Sequence, residues 1–204
     1  FFFVMPQRTE LRTHVVDSGN KPATVFVIVM THKDNRFHPE LMDELHHHFD
    51  TIEQTPNAAA LVITGTGKFF SNGLDLQFLG GADPIAYLGA YQKLLARLLT
   101  LNVLTIAAIN GHGFAGGCMF AFACDFRVMR EDRGYLCLPE VDLGFDLMEG
   151  MMAIIKERVS SANDVRNMVL LGKKIDAKEG KDIGIVDIIV PESQVLSSAI
   201  DLAK

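Results

Sequence analysis

The sequence of 204 residues contains no tryptophan and only three cysteines, Cys118, Cys124 and Cys137. Each cysteine lies among apolar neighbours and no CxxC pair occurs. We therefore predict free buried thiols, with neither a disulfide framework nor a zinc site.

Long apolar runs and positive charge are also scarce. No run reaches the ~20 apolar residues that a membrane span needs. The opening segment, Phe1 to Met5, is short and lacks the basic stretch of a secretory signal. Lys and Arg number 19 against 25 Asp and Glu, which gives a net charge of −6 with no basic block. We therefore expect neither a nucleic acid nor a membrane among the partners of this protein.

The composition supplies enough apolar material for one good-sized core, with 49% hydrophobic and 22% charged residues. No repeat or linker divides the chain, so we predict a single domain over residues 1–204. Apolar, β-branched strands over 24–30, 59–64 and 103–109 alternate with helices over 39–54 and 84–100. This alternation predicts the α/β class with strands that are at least partly parallel.

The pattern changes after a core of about 158 residues, from alternating strands and helices to mainly helices with one short strand at 186–190. Residues 159–204 are predicted to be mainly helical. Ser161 and Asp164 have the spacing of a helix cap, and Ser193 is predicted to cap a last helix over 194–204. We expect this part to form a C-terminal helical layer. Because the last helix stops in mid-pattern, we also expect the layer to be incomplete and any C-terminal targeting tripeptide to be missing.

The first candidate site is the segment GTGKFFSNGLDL at 65–76, directly after a buried strand, and we predict residues 66–77 to be a loop. Proteins of the α/β class place ligands at the carboxyl ends of their strands. Gly73 permits a positive φ, which can turn the Leu74 amide outward. An ordinary turn between a strand and a helix is the alternative.

The second candidate site is NGHGFAGG at 110–117, between a strand and a helix of small residues over 118–124. The unpaired N–H groups at the start of that helix suit an oxyanion. No Gly-Lys-Ser/Thr follows, so the segment is not a phosphate-binding P-loop, and its spacing does not match a dinucleotide fingerprint. Close packing of the helix on the sheet is the alternative.

The third candidate is Glu140 in the segment LPEVDLG at 138–144. Its apolar neighbours Leu138 and Val141 can partly desolvate the carboxylate, which would raise its pKa and suit it to general-base catalysis. A glutamate facing solvent at the end of a strand is the alternative.

The triplet His46-His47-His48 is not predicted to bind metal. Consecutive helix positions point about 100° apart, so three neighbours cannot converge on one ion. We predict a polar helix face there, and no metal site in the chain.

In this order, KFFSNGLDL, INGHGFAGGC and LPEVDLG resemble the crotonase family, also known as the enoyl-CoA hydratase/isomerase superfamily. The similarity runs from about Thr24 to the end of the chain. It implies a crotonase-like spiral of ββα units that binds an acyl-CoA thioester, with the amides of Leu74 and Gly116 holding the thioester oxygen. The residues that it places along the substrate are Ser71, Asn72, Gly73, Leu74, Asp75, Gly116 and Pro139.

One departure from the family pattern narrows the reaction. Family hydratases carry a glutamate in the helix after the glycine loop, and the matching position here is Met119. Hydration usually employs two carboxylates, whereas one is enough for a 1,3-proton shift. Glu140 with its VDLG sequence, together with GLDL at 73–76, is similar to the Δ3,Δ2-enoyl-CoA isomerase branch, and most similar to peroxisomal members. Glu149 is a reserve base in this interpretation.

The resemblance therefore implies an isomerase of fatty-acid β-oxidation that converts 3-enoyl-CoA to 2-trans-enoyl-CoA. Another reaction on acyl-CoA, such as hydration or thioester hydrolysis, and a non-catalytic acyl-CoA-binding member are the alternatives. No cofactor is implied, because coenzyme A is part of the substrate. The family also implies a homotrimer or a dimer of trimers, and a peroxisomal location with the mitochondrial matrix as the alternative. Candidate walls of the acyl pocket are Phe78, Leu79, Tyr87, Phe114, Phe145 and Leu147.

Overall fold

The computed structural model of the protein describes residues 7–17 and 22–204, so the opening segment Phe1 to Met5 lies outside the described residues. Within the described residues the strands are β1 Thr9–Asp17, β2 Pro22–Met30, β3 Ala58–Gly65, β4 Phe69–Ser71, β5 Leu104–Ile109, β6 His112–Phe114, β7 Phe126–Arg130, β8 Leu136–Cys137 and β9 Ile188–Val190.

The helices are α1 Pro39–Gln54, α2 Leu76–Leu79, α3 Pro84–Leu99, α4 Gly116–Ala123, α5 Glu140–Leu143, α6 Glu149–Arg158, α7 Ala162–Leu170, α8 Ala177–Asp182 and α9 Val195–Leu202. A single 3₁₀ turn, Glu192–Gln194, precedes α9. Proline at the first position of α1 and of α3 marks where each helix begins, because proline lacks the N–H that a helix start leaves unpaired.

The strands form two sheets. The larger has the order β1-β2-β3-β5-β7-β9, in which β1 is antiparallel to β2 and the remaining pairs are parallel. The smaller is parallel, with the order β4-β6-β8. The chain passes three times from a strand of the large sheet to a strand of the small sheet and then to a helix. This repetition confirms the predicted α/β fold built from ββα units.

The large sheet is covered on both faces. Along β2, Phe26, Ile28 and Met30 pack with the buried stripe of α1 and with α3 and α4. The alternate residues Val25 and Val27 point to the opposite face, where α9 packs. Burial on both faces explains why β2, β3 and β5 are almost continuously apolar.

Several predicted local structures differ from the observed ones. The segment 66–77 is not all loop, because it contains β4 and the start of α2. The segment 110–117 likewise contains β6. Glu140 does not end a strand but begins α5. The short strands β4 and β6 were missed because their parallel pairing with each other, which joins Phe69 to His112, creates them.

Two side-chain predictions were also wrong. Ser161 caps α7 as expected, but Ser193 caps no helix, because it lies inside the 3₁₀ turn before α9. His48 is buried rather than on a polar face, and its Nε2 lies 2.8 Å from the Thr9 hydroxyl. Strand β1 supplies that hydroxyl, and no strand was predicted over its residues.

Among the described residues, no helix is long and apolar enough to cross a membrane. The His, Cys, Asp and Glu side chains of this part of the chain form no group of three or more that could hold a metal ion.

Candidate active site

A largely apolar cavity of about 250 Å³ lies where the small sheet meets the helices. It brings together residues from all three candidate segments: Asn72 and Leu74, then Gly116, then Pro139 and Glu140. Apolar side chains form most of its wall: Leu76, Leu79, Leu88, Phe114, Met119, Leu143, Phe145, Leu147 and Met151. A concave apolar site with a few converging polar groups is typical of a small-molecule site.

Glu140 is a partly buried acid in the wall of this cavity. Burial raises the pKa of Glu140 to about 7, although a backbone hydrogen bond acts in the opposite direction. Within the described residues no hydrogen-bond partner exists for its buried Oε2. The carboxylate is therefore poorly solvated and has one oxygen free to accept a proton.

The Leu74 amide is held by bonds to its neighbours. Gly73 has φ +78°, a conformation that side chains other than glycine rarely adopt. The Gly73 carbonyl accepts a hydrogen bond from the Phe37 N–H at 2.9 Å, which fixes the peptide group that carries the Leu74 N–H. Among residues 7–17 and 22–204 nothing accepts a hydrogen bond from that N–H. It remains available to a ligand.

The Gly116 amide is the first of helix α4, so the helix offers it no acceptor. The preceding residue, Ala115, has φ +51° and ψ −123°, a strained conformation of the kind that costs about 1–3 kcal/mol and concentrates at functional sites. The Ala115 carbonyl accepts from the Cys118 and Met119 N–H groups at 3.0 and 3.1 Å. These two bonds fix the peptide group that carries the Gly116 N–H.

The two amides are close neighbours. A Cβ atom built on Gly73 would lie 2.9 Å from the Gly116 nitrogen and 2.8 Å from the Phe114 carbonyl oxygen. A Cβ atom on Gly116 would lie 3.2 Å from the ring of Tyr91, whose hydroxyl donates to the Gly116 carbonyl. Glycine at both positions therefore lets the two loops pack closely.

The structure separates the predicted site residues into two groups. Asn72, Leu74, Gly116, Pro139 and Glu140 line the cavity, whereas Ser71, Gly73 and Asp75 do not. Ser71 is buried and donates to the Asn35 carbonyl at 2.7 Å, and Asp75 faces His38.

The residues predicted to line the acyl pocket also fall into two groups. Leu79, Phe114, Phe145 and Leu147 line the cavity, but Phe78 and Tyr87 line a second one of about 330 Å³. Met119 lies in the wall of the first cavity.

Glu149 does not meet the expectation for a reserve base. It is exposed at the start of α6 and does not line the cavity. The neighbouring residues Asp146, Leu147 and Met151 line the cavity instead.

Sequence reasoning missed three polar residues of the cavity: Arg36, Tyr91 and Asp146. Tyr91 is fully buried, and burial followed by the nearby Glu140 charge raises the pKa of Tyr91 well above its ordinary value, so its hydroxyl stays a donor. Its position four residues after Tyr87 was a usable signal, because residues four apart lie on the same face of a helix. Arg36 and Asp146 carried no comparable signal.

The arrangement combines a poorly solvated carboxylate, two free and fixed N–H donors, and an apolar cavity. Such a set can remove a proton from a carbon next to a carbonyl group while the donors stabilise the negative charge that develops on its oxygen.

The chain is similar to known proteins along most of its length. The family model for enoyl-CoA hydratase/isomerase matches residues 20–204. The chain is 36% identical over 181 residues to enoyl-CoA delta isomerase 3 of Arabidopsis thaliana, covering 85% of this chain and 76% of that protein. It is 32% identical over 184 residues to the peroxisomal enoyl-CoA delta isomerase 2 of the same plant, covering 85% and 77%.

A solved apo structure of a Mycobacterium tuberculosis enoyl-CoA isomerase superposes with a TM-score of 0.84 at 27% identity, covering 95% of this chain and 82% of that one. The fold, the match over nearly the whole chain and these relatives agree. The chain belongs to the enoyl-CoA hydratase/isomerase family.

Proposed function

We propose that this protein is an isomerase that converts 3-enoyl-CoA, cis or trans, to 2-trans-enoyl-CoA in the β-oxidation of unsaturated fatty acids. One observation carries the proposal: Glu140, with a pKa of about 7 and an unpartnered oxygen among the described residues, shares an apolar cavity with Leu74, Gly116 and Met119. A methionine at the position where family hydratases have a second carboxylate leaves Glu140 as the partly buried acid of the cavity.

In the proposed reaction the ionised Glu140 takes a proton from C2 of the acyl chain. The electrons of that C–H bond form a C1–C2 double bond, and negative charge moves to the thioester oxygen. The same acid then delivers the proton to C4. The negative oxygen re-forms the C1=O bond, the C1–C2 π electrons become the C2–C3 double bond, and the former C3–C4 π electrons form the new C4–H bond. A pKa of about 7 suits both steps, because the acid and base forms are then similarly populated at neutral pH.

The Leu74 and Gly116 N–H groups stabilise the enolate oxygen in this proposal. Removing one such donor typically costs ~3 kcal/mol, or a factor of 10²–10³ in rate. The fixed peptide groups described above support the role, since a donor that is already oriented needs no reorganisation during the reaction. The scheme employs the thioester substrate and no separate cofactor.

Hydration of 2-enoyl-CoA is a second candidate, favoured by one observation. Asp146 also lines the cavity, so a second carboxylate is present after all, although it is exposed. Hydration needs one group to activate water and another to handle the proton at C2, and Asp146 with Glu140 would supply the pair.

The test is direct. Purified protein with 3-hexenoyl-CoA should produce the absorbance of a conjugated enoyl thioester, and Glu140→Ala should abolish it. Glu149→Ala is the matched control and should retain full activity. Activity that survives in Glu140→Ala would overturn the mechanism. With 2-hexenoyl-CoA, formation of 3-hydroxyhexanoyl-CoA at a rate rivalling isomerisation, lost in Asp146→Asn, would favour hydration instead.

We also propose a peroxisomal location, with the mitochondrial matrix as the alternative, and a homotrimer or dimer of trimers. Subcellular fractionation of the native host protein tests the first. Light scattering coupled to size-exclusion chromatography tests the second.

A further inference from the structure

The loop that carries Leu74 is bound along its length to the segment before α1, residues 34–38. Ser71 Oγ donates to the Asn35 carbonyl at 2.7 Å, and the Asn72 N–H donates to the Asp34 carbonyl at 2.9 Å. The segment 34–38 therefore acts as a clamp on the start of the loop.

The clamp continues on both sides of the Leu74 amide. The Phe37 N–H donates to the Gly73 carbonyl at 2.9 Å, and Arg36 Nη1 donates to the Leu74 carbonyl at 3.2 Å. The peptide groups before and after Leu74 are thus each held by one bond from the clamp.

His38 closes the clamp at the far end of the loop. Its Nε2 lies 2.7 Å from Oδ2 of Asp75, the residue directly after Leu74. The side chains are 19% and 13% exposed, which makes this contact better shielded from solvent than an ordinary surface pair. The other oxygen of Asp75 caps α2 by accepting from the Gln77 N–H at 2.8 Å, so the same carboxylate ties the loop both to α2 and to His38.

We propose that His38 is a positioning residue for the reaction, one that holds the Leu74 N–H in place through Asp75. The proposal rests on the proposed function, because it assigns His38 to the orientation of an oxyanion donor. Neither His38 nor Asp75 lines the cavity, so the effect passes through the backbone of Leu74 and not through contact with substrate.

The size of the effect follows from the geometry. The bonds from Phe37 and Arg36 remain without His38, so the loop keeps its general path. Its end at Asp75 loses a restraint one residue from the donor, and a displacement of about 1 Å at a reacting group can cost up to 10²-fold in rate.

The experiment compares His38→Ala, His38→Gln and the control His47→Ala, whose histidine is exposed on α1. With 3-hexenoyl-CoA we expect kcat of His38→Ala to fall between about 10-fold and 10²-fold with KM within about twofold, as for an interaction made in the transition state. His38→Gln, whose amide can donate to Asp75, should recover most of the loss. His47→Ala should match the wild type.

A spectroscopic measurement separates positioning from a general structural role. The carbonyl stretch of bound hexanoyl-CoA, a saturated thioester, reports the hydrogen bonds to its oxygen by infrared difference spectroscopy. It should move toward the free-thioester frequency in His38→Ala and stay near the wild-type frequency in His38→Gln.

Three results would overturn the proposal: wild-type kcat in His38→Ala, a rise in KM alone, or a loss of thermal stability with no change in the carbonyl frequency. If His38→Ala does not fold, His38→Asn takes its place, because the shorter amide does not reach Asp75. If the wild type itself fails to isomerise, the proposed function fails, while the carbonyl frequency still decides whether His38 positions Leu74.

Discussion

Replacing Glu140 with glutamine should make the protein more stable at alkaline pH while removing its activity. The folded protein raises the pKa of this carboxyl from 4.5 to about 7, because burial penalises the charged form. Between these values the folded state binds more protons than the unfolded state. Stability therefore falls as pH rises through this window and is constant above it.

The magnitude follows from the shift. A change from 4.5 to about 7 corresponds to about 3 kcal/mol at 1.36 kcal/mol per pKa unit. Glutamine carries no charge and avoids this cost. We expect the free energy of unfolding of Glu140→Gln to exceed that of the wild type by up to about 3 kcal/mol at pH 8, and by less than about 1 kcal/mol at pH 5.

The activity of the wild type should rise with pH, whereas its stability falls. The wild-type kcat/KM should rise with pH through a pKa of about 7 and then level, because the ionised acid is the reactive form. Glu140→Gln cannot accept the proton, so its rate should be lower by about 10²–10⁴-fold above pH 7, and the gap should narrow at lower pH as the wild-type acid becomes protonated.

Urea unfolding at pH 5 and pH 8, with the isomerase assay on the same samples, checks both parts. Glu149→Gln is the control and should show the wild-type pH dependence, because Glu149 is exposed. The reasoning is refuted if the wild type and Glu140→Gln lose stability equally between the two pH values. It is also refuted if the variant remains active.

Three further predictions concern the remaining parts of the cavity. Gly73→Ala should lower kcat by at least about 10²-fold, because the new Cβ would lie 2.9 Å from the Gly116 nitrogen. Gly67→Ala is the control for backbone strain alone and should keep wild-type kinetics, because Gly67 has φ +71° and a Cβ built there would have no atom within 4 Å. Tyr91→Phe removes the hydroxyl that donates to the Gly116 carbonyl and should reduce the free energy of unfolding by about 0.5–1.5 kcal/mol in urea titrations, and an unchanged value would contradict the assigned hydrogen bond. Met119→Glu places a second carboxylate in the cavity wall, so 3-hydroxyhexanoyl-CoA should form from 2-hexenoyl-CoA. Chromatography of the products would detect it. If a folded variant forms none, residue 119 does not decide between isomerisation and hydration.

The sequence predicts well the elements that are specified by local signals. Helix α1 has the predicted bounds, Pro39–Gln54, because proline fixes its start and four apolar residues form one buried stripe. The observed bounds of β3 differ from the predicted ones by one residue at each end, and those of β5 by one residue at its start. These strands were predictable because strands that are buried on both faces are continuous apolar runs. Of the residues that the family resemblance placed along the substrate or in catalysis, Asn72, Leu74, Gly116, Pro139 and Glu140 line the cavity.

Long-range contacts account for what was missed. Strand β1 is an edge strand rich in polar residues, and only its pairing with β2 identifies it. His48 is buried because Thr9 of β1 supplies a partner, so its burial could not be predicted while β1 was unknown. Arg36 and Asp146 reach the cavity through loops whose course depends on the packed helices, and neither lies in a segment with a regular pattern.

The parallel pairing of β4 with β6 has a consequence for how the enzyme matures. The register joins Phe69 to His112 and Ser71 to Gly113, so the chain must complete α3 and β5 before the two short strands can meet. No local hairpin can form this contact in advance, and such non-local contacts form slowly. During refolding, helical circular dichroism should therefore return first and turnover last, which makes catalytic competence a sensitive reporter of complete assembly.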